Sequence, residues 1–246
     1  LKGRLEEIGL TTTIIEAAPH RTNLIARLPG QGTHPPLLLF SHLDVVPAPP
    51  EGWAHPPFSG AVAEGCVWGR GTLDMKGMTA MSFMALSLLA QQGIPLKRDI
   101  IFAAVADEEE GGRYGAQHLV EEHPHLIQAQ YALGELGGFN LEAKKEILYP
   151  VQVAEKGSTW LRLHTDGEGG HGSLPDSDSP AVRISQAVMD LAQHPLPLHA
   201  TPVVERFLSE LGRAMGLPQA ILLKALTIPP LGDVLLKNLP DRKLAR

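Results

Sequence analysis

The sequence predicts an α/β fold, and three segments carry this prediction. Residues 37–40 and 100–106 are short, almost wholly apolar runs, which is typical of strands buried on both faces of a sheet. Between them, residues 78–92 are rich in Met, Ala and Leu and contain neither Pro nor Gly, and Gly93 follows as a helix cap. A strand, a helix and another strand at this spacing indicate an α/β domain. Weaker strand patterns lie at residues 11–16, 23–28 and 131–134.

A change of pattern after about Lys156 predicts a second domain. We predict a first domain over residues 1–155 and an incomplete second domain over residues 156–246. In the second domain, residues 160–165 resemble a strand, and a Gly- and Asp-rich loop follows at residues 166–178.

Two helices are predicted after that loop. Ser179 and Pro180 form a cap and first turn, and apolar residues follow at helical spacing, which predicts a packed amphipathic helix. Its apolar positions are Ile184, Ala187, Val188 and Leu191. Val204, Phe207, Leu208 and Leu211 repeat this spacing before Gly212.

The composition narrows the function classes. The 246 residues are 43% hydrophobic and 20% charged, which is enough for one large or two modest cores. A net charge of -6 without a long basic run argues against nucleic-acid binding and against a polybasic membrane patch. No apolar run approaches the roughly 18 to 20 residues of a membrane span.

The cysteine content and the first residues give three further expectations. Cys66 is the single cysteine, which excludes an internal disulfide framework and fits the cytoplasm. It precedes Val67 and Trp68, so we expect it to be buried rather than nucleophilic. The chain begins without Met and within a helical pattern of Leu1, Leu5 and Ile8, so we expect preceding residues to be missing.

Four strands or loops end in polar residues of the kinds that bind metals. Divalent metals are held by carboxylates and imidazoles that converge from separate segments. The endings are Ser41 to Asp44, Gly69 to Asp74, Asp107 to Gly112, and Glu135 to Gly138. Each alone is more often a surface pair or a solvated loop, and only their combination favours a metal site.

These motifs together resemble the co-catalytic zinc metallopeptidases that include aminoacylase, acetylornithine deacetylase, succinyl-diaminopimelate desuccinylase and glutamate carboxypeptidase. The carboxypeptidase-like and dipeptidase-like members are the most similar. The matching segments, in the family's order and approximate spacing, are His42 to Pro47, Trp53, Pro57-Phe58, Trp68 to Gly71, Asp74 to Gly77 and Asp107 to Glu109. The resemblance implies that residues 1–155 are the N-terminal part of a catalytic metallopeptidase domain, with a mixed sheet flanked by helices. It implies that residues 156–246 are the incomplete start of an inserted α+β lid domain that mediates dimerisation, and that the rest of the catalytic domain is absent.

The resemblance also implies roles for individual residues. His42 and Glu135 would bind one zinc ion, Asp74 would bridge both ions, and Glu109 would bind the second. Glu108 would be the general base, and Asp44 would accept a hydrogen bond from the other ring nitrogen of His42. Zinc is the family's usual metal, although the same ligand types accept cobalt or manganese.

His171 lies in the segment Gly169 to Pro175, which resembles the lid-domain histidine motif of the family. By this resemblance, His171 would reach the active site of the partner subunit in a homodimer and stabilise the developing oxyanion. The alternative is a Gly-rich loop that contains an incidental histidine. Arg70 and Lys76 are expected to brace loops.

The family's chain continues beyond the lid and supplies a further histidine for the second zinc ion. Without that ligand, the second site would have only Asp74 and Glu109, fewer than the three protein ligands typical of catalytic zinc. We therefore expect a fragment with impaired activity.

The resemblance favours a hydrolase of amide bonds in small peptides, of the carboxypeptidase or dipeptidase type. A deacylase of N-acyl amino acids is the nearest alternative. A non-catalytic binding or dimerisation module stays open, although the intact Asp74 and Glu108 argue against it. A nucleotide-binding α/β protein is disfavoured because Gly69 to Gly71 lacks the spacing of a phosphate loop.

Overall fold

The computed structural model describes residues 1–135, 139–144, 146–155, 157, 159–174, 176–194, 196 and 199–237. The chain divides into two compact units, Leu1–Leu136 and Gly137–Arg246. The assignment of a catalytic domain to residues 1–155 and of a lid to residues 156–246 stays a prediction. Residue 156 and residues 238–246 lie outside the described residues.

The first unit is built from short helices and a central sheet. Its helices are α1 (Lys2–Glu7), α2 (Gly77–Gln92), α3 (His118–Glu122) and α4 (Pro124–Ile127). Its strands are β1 (Thr11–Ala18), β2 (Arg21–Leu28), β3 (Leu37–His42), β4 (Ala61–Ala63), β5 (Cys66–Trp68), β6 (Ile100–Val105) and β7 (Tyr131–Leu133). The three predicted central segments and the three weaker strands are all present, which confirms the predicted α/β fold.

The central sheet has five strands in the order β1-β2-β6-β3-β7. Strand β6 pairs antiparallel with β2 and parallel with β3, and β3 pairs parallel with β7. The sheet is therefore mixed, as predicted. Every residue of β6 is buried, as its unbroken apolar run indicates.

Helices cover both faces of this sheet, and alternate residues of the strands serve two cores. One core contains Phe102 of β6 with Leu5 of α1 and Leu86 of α2. The core on the opposite face contains Ile101 of β6 with Leu119 of α3. This three-layer packing fixes the strand ends from which the site is built.

Strands β4 and β5 form a separate two-stranded hairpin. The prediction that Cys66 is buried is wrong, because the residue is exposed at the start of β5. Its neighbour Val67 and the facing Val62 are exposed as well. The apolar residues around Cys66 thus belong to a hairpin at the surface rather than to the sheet core.

The second unit contains a short hairpin and four helices in its described residues. They are β8 (Leu141–Ala143), β9 (Glu146–Leu148), α5 (Pro180–Gln193), α6 (Pro202–Met215), α7 (Leu217–Leu226) and α8 (Pro229–Lys237). The predicted cap of α5 is confirmed, since Ser179 Oγ accepts a hydrogen bond from the Val182 N–H. Helix α6 continues past Gly212, where an added Cβ would lie 2.8 Å from the Cα of Ala220 in α7. Gly212 permits close helix packing rather than ending the helix.

Two predictions for the second unit differ from the structure. Residues 160–165 are not a strand, since a strand needs a hydrogen-bonded partner and the described ladder of this unit joins only β8 and β9. Helix α5 forms as predicted, but its apolar face is packed only in part, because Ile184 and Ala187 are half-buried whereas Val188 and Leu191 are exposed. A periodic pattern predicts a helix without identifying what covers it.

Within the described chain, no helix combines the length and apolar character needed to cross a bilayer.

Candidate metal centre

The site residues of the first unit come from neighbouring strand ends and one turn. Strand β3 ends at His42, β6 leads into the loop of residues 106–112, and β7 leads to Glu135. These three strands are adjacent and parallel, so their carboxyl ends meet at one edge of the sheet. Asp74 reaches the same edge from the turn Thr72–Lys76, which precedes α2.

Three of the predicted metal ligands converge at this edge. One ligand atom each from His42, Asp74 and Glu135 lie within 4.8 Å of one another. His42 Nε2 is 3.0 Å from Asp74 Oδ1 and 3.8 Å from Glu135 Oε2. His42 is buried, whereas both carboxylates are partly open to solvent. This is the one such group of three within the residues that the structure describes.

Hydrogen bonds on the opposite side of the ring orient His42. Its Nδ1 is 3.0 Å from the main-chain oxygen of Asp44 and 3.5 Å from Asp44 Oδ1. The nearer partner is therefore the carbonyl rather than the carboxylate that the resemblance implies. Because a carbonyl only accepts, Nδ1 carries a proton, and loss of the other ring proton leaves a lone pair on Nε2, on the side of the cluster.

The crowded carboxylates shift one another's pKa values. Burial and the hydrogen bond with Asp74 raise the pKa of Glu135 to about 7. Burial and the charges of Glu109, Asp44 and Asp74 raise the pKa of Glu108. Burial of His42 disfavours its charged form, but the attraction of Glu108 and the bond to the Asp44 carbonyl outweigh this and raise its pKa. The cluster thus has excess negative charge that a cation would offset.

Glu108 and Glu109 occupy different places in one short turn, Glu108–Glu110. Glu108 Oε2 lies 3.8 Å from His42 Nε2. Glu109 Oε1 instead accepts a hydrogen bond from the Val46 N–H at 3.3 Å, and its own N–H donates to Asp44 Oδ2 at 3.0 Å. Glu109 is outside the three-residue group that contains Asp74.

The turn that carries Asp74 is fastened to the end of β3. Lys76 Nζ donates to the Leu43 carbonyl at 2.6 Å, and the His42 N–H donates to Met75 Sδ at 3.3 Å. Gly71 has φ 84°, and an added Cβ would lie 2.6 Å from Val45 Cγ1, so only glycine fits there. The Arg70 guanidinium lies over the Trp53 ring at 5.5 Å. Lys76 and Arg70 thus make the bracing contacts expected of them.

Sequence reasoning assigned no role to three residues that hold the loop of Glu108, although Asp107 lies in one of the predicted motifs. They are Arg21, Asn23 and Asp107, which connect this loop to β2. Asn23 is fully buried in a strand of otherwise apolar or alternating character. A polar amide at such a position needs hydrogen-bond partners, and this was the available signal.

His171 belongs to the second unit, in the loop before α5. Its Nδ1 accepts a hydrogen bond from the Ser173 N–H at 3.3 Å and lies 2.7 Å from Ser173 Oγ. Because Nδ1 is an acceptor, the proton of the neutral ring is on Nε2, which is then available as a donor.

The donor set fits a divalent metal ion. It consists of one imidazole nitrogen with a fixed tautomer and two carboxylates, which matches the ligand types of zinc and of neighbouring first-row metals. A sequence profile of peptidase family M20/M25/M40 matches residues 38–217, which is more than half of the chain. The chain belongs to this family. Family membership implies a metal ion, and the convergence of His42, Asp74 and Glu135 is a candidate site for it.

Relatives within the M20 family include acyl-amino acid enzymes. N-fatty-acyl-amino acid synthase/hydrolase PM20D1 of Mus musculus is 37% identical over 178 residues, which are 68% of this chain and 35% of the relative. Aminoacylase-1 of Sus scrofa is 33% identical over 193 residues, which are 76% of this chain and 46% of the relative. The chain thus spans between about a third and a half of the length of these relatives.

Solved structures of M20 proteins are similar over a smaller region. Human carnosine dipeptidase 1 has a TM-score of 0.44 at 22% identity, covering 54% of this chain and 30% of that one. The metallo-carboxypeptidase Sso-CP2 of Sulfolobus solfataricus has a TM-score of 0.47 at 21% identity, covering 55% and 30%.

Proposed function

We propose that this chain belongs to a metal-dependent hydrolase that cleaves the amide bonds of small peptides or N-acyl amino acids. The observation that carries the proposal is the convergence of His42, Asp74 and Glu135 beside Glu108 at one edge of the sheet. Membership of the M20 family supports the same reaction class.

His42, Asp74 and Glu135 would hold one divalent ion. Zinc is the proposed metal, with cobalt or manganese as substitutes that share these ligand types. A second ion would use Asp74 and Glu109, although Glu109 here bonds to Val46 and would have to turn toward Asp74. Ions held by these residues would polarise a carbonyl group and lower the pKa of water.

Glu108 is proposed as the general base. It accepts a proton from the attacking water and later donates that proton to the nitrogen of the leaving amine. Its raised pKa suits this exchange, because a base with a pKa closer to neutrality both takes and returns a proton readily. Asp44 holds the main chain of Glu109 and so helps to keep the turn next to His42.

His171 is proposed to donate a hydrogen bond from Nε2 to the substrate carbonyl oxygen as negative charge develops there. The bond from the Ser173 N–H to Nδ1 supports this proposal, because it leaves the Nε2 proton free to donate. In the proposed arrangement the histidine acts in a homodimer, whose interface would be formed by the second unit. Sedimentation equilibrium would test the dimer, and a monomer across the micromolar range would contradict it.

Two substrate classes remain to be separated. Peptides follow from the similarity of the motifs to carboxypeptidase-like and dipeptidase-like enzymes. N-acyl amino acids are favoured by the two curated relatives described above, whose names refer to acyl-amino acid hydrolysis or aminoacylase activity. A panel of dipeptides and of N-acetyl and N-fatty-acyl amino acids would distinguish them by kcat/KM. The cytoplasm is proposed as the location on the single cysteine alone.

The deciding experiment replaces Glu108 by Gln and compares it with Glu110→Gln in the same turn. We expect Glu108→Gln to lower kcat by at least about 100-fold, as is typical for a general base, and to leave metal content unchanged. Glu110→Gln should retain normal turnover. Normal turnover in Glu108→Gln would contradict its role, and loss of bound metal would show that Glu108 is a ligand instead.

A further inference from the structure

The loop that carries Glu108 and Glu109 is attached at both ends to one side chain of β2. Asn23 Oδ1 accepts a hydrogen bond from the Ala106 N–H at 3.1 Å, and Asn23 Nδ2 donates to the Tyr114 carbonyl at 2.8 Å. Ala106 and Tyr114 lie on either side of the two glutamates in the chain. Since Asn23 is fully buried, these bonds are shielded from water and hold the ends of the loop together.

Asp107 holds the loop between these ends. It is buried, and its Oδ1 accepts from Arg21 Nε at 3.1 Å while Oδ2 accepts from the Tyr114 N–H at 3.1 Å. Its main-chain oxygen accepts from the Gly112 N–H at 2.6 Å. Asp107 itself has φ 70°, and Glu108 follows it directly. The direction in which Glu108 leaves the sheet therefore depends on the conformation of Asp107.

A second ion pair of the same kind lies at the opposite end of β6. Arg27 Nη1 of β2 is 2.8 Å from Asp99 Oδ2, and Asp99 Oδ1 accepts from the Gly30 N–H at 2.8 Å. Strands β2 and β6 are antiparallel, so Arg21–Asp107 and Arg27–Asp99 lie at the two ends of this pairing. Both pairs connect β2 to a loop, but only the first is next to the candidate metal centre.

We propose that Asp107 is a positioning residue for the reaction, and that Arg21 and Asn23 maintain its geometry. The carboxylate of Asp107 holds Tyr114 and Arg21, and its backbone directs Glu108 toward the Nε2 side of His42, where Oε2 lies 3.8 Å away. This inference rests on the proposed function, since it assigns Asp107 a role through Glu108. Asp107 does not bind the metal ion or touch the reacting atoms.

The test compares Asp107→Asn with Asp99→Asn in the protein that contains this chain. Both substitutions remove one carboxylate charge from a pair between β2 and a loop, so Asp99→Asn controls for the loss of such a pair away from the candidate site. We expect Asp107→Asn to lower kcat by about 10- to 100-fold with KM changed less than about threefold, because small misplacements of a catalytic group reduce rate rather than binding. Asp99→Asn should keep the kcat of the unaltered protein.

Arg21→Gln is a second variant that leaves Asp107 in place and should lower kcat in the same direction. Arg21→Lys, which retains the charge, should restore part of the loss. Equal kcat losses in Asp107→Asn and Asp99→Asn would overturn the inference, because the effect would then follow stability alone. An unchanged kcat in Asp107→Asn would overturn it as well.

Amide hydrogen exchange gives a measurement that does not need turnover. The Glu109 N–H donates to Asp44 and not to Asp107, so its exchange rate reports the position of the loop. We expect exchange at Glu109 to become at least about tenfold faster in Asp107→Asn and to stay unchanged in Asp99→Asn. If the unaltered protein hydrolyses nothing in the panel, the proposed function fails, and equal exchange in both variants would separately overturn the role of Asp107.

Discussion

His42 Nε2 lies 3.0 Å from Oδ1 of Asp74, a residue 32 positions away in the sequence. The contact joins the end of the central parallel strand β3 to the turn before α2. The Asp44 carbonyl accepts a hydrogen bond from His42 Nδ1 on the other side of the ring, so Nε2 is the nitrogen that faces the carboxylates of Asp74 and Glu135. Several expected outcomes depend on this relationship.

Replacing Asp74 by Asn should abolish most metal binding. Asparagine has the same shape, but it lacks the charge that stabilises a divalent cation between His42 and Glu135. Metal analysis after dialysis is the measurement, with Asp178→Asn as an exposed control in the second unit. Equal metal content in the two variants would place the site elsewhere.

The metal-free protein should lose stability as the pH rises from about 4.5 to above 7. The pKa values of Glu135, Glu108 and His42 are all raised in the folded protein, Glu135 to about 7. A group with a raised pKa contributes its stability below the unfolded-state pKa and loses it as the pH passes the folded-state pKa. Melting curves in EDTA across this range would check it, and Glu135→Gln should flatten the decline. A melting temperature that rises throughout would contradict the expectation.

Metal uptake should release protons near neutral pH. A carboxyl group of Glu135 with a pKa of about 7 is partly protonated there, and the cation must displace that proton. Apparent affinity should therefore increase with pH between about 6 and 8. Calorimetric titration in buffers of different ionisation enthalpy measures the protons directly, and an identical heat in every buffer would exclude the release.

Replacing Asp44 by Ala should weaken metal binding by about 10- to 100-fold, as outer-shell substitutions often do. Its Oδ2 accepts from the Glu109 N–H, and its carboxylate lies 3.5 Å from His42 Nδ1. Competition with a chelating dye would give the affinity. Glu51→Ala is an exposed control from the same segment and should leave the affinity unchanged.

Phe102→Ala should lower the free energy of unfolding by about 3–5 kcal/mol, because Phe102 is fully buried in the core between the sheet and α2. Phe58→Ala removes the same side chain from an exposed position and should change it by less than about 0.5 kcal/mol. Urea unfolding curves of the two variants supply the comparison. Similar losses in both would contradict the described burial.

The sequence predicted the central sheet well because burial there leaves a strong local pattern. Residues 100–106 are almost wholly apolar, and β6 is buried throughout. The polar residues that follow β3, β6 and β7 were also evident in the sequence. These three strands are parallel neighbours, so the residues that follow them meet at one edge of the sheet. The convergence of His42, Asp74 and Glu135 follows from this topology together with the turn before α2.

Features that depend on distant partners were not visible in the same way. Cys66 lies in an apolar stretch, yet the hairpin that contains it is at the surface. The segment at residues 160–165 has a strand pattern without a ladder. Asn23 and Asp107 are 84 residues apart in the sequence. Both form hydrogen bonds that fix the loop of Glu108, and these bonds depend on the pairing of β2 with β6. Local periodicity carries no information about such pairings.

Strand β7 is three residues long, and in the described sheet it pairs only with β3. Glu135 follows it closely, whereas His42 ends the well-packed centre of the sheet. A cation shared by these two residues would link β7, whose three residues are exposed to solvent, to the largely buried strand β3. Separation of β7 from β3 would then be coupled to release of the ion, so the metal concentration would set how often this edge of the sheet opens.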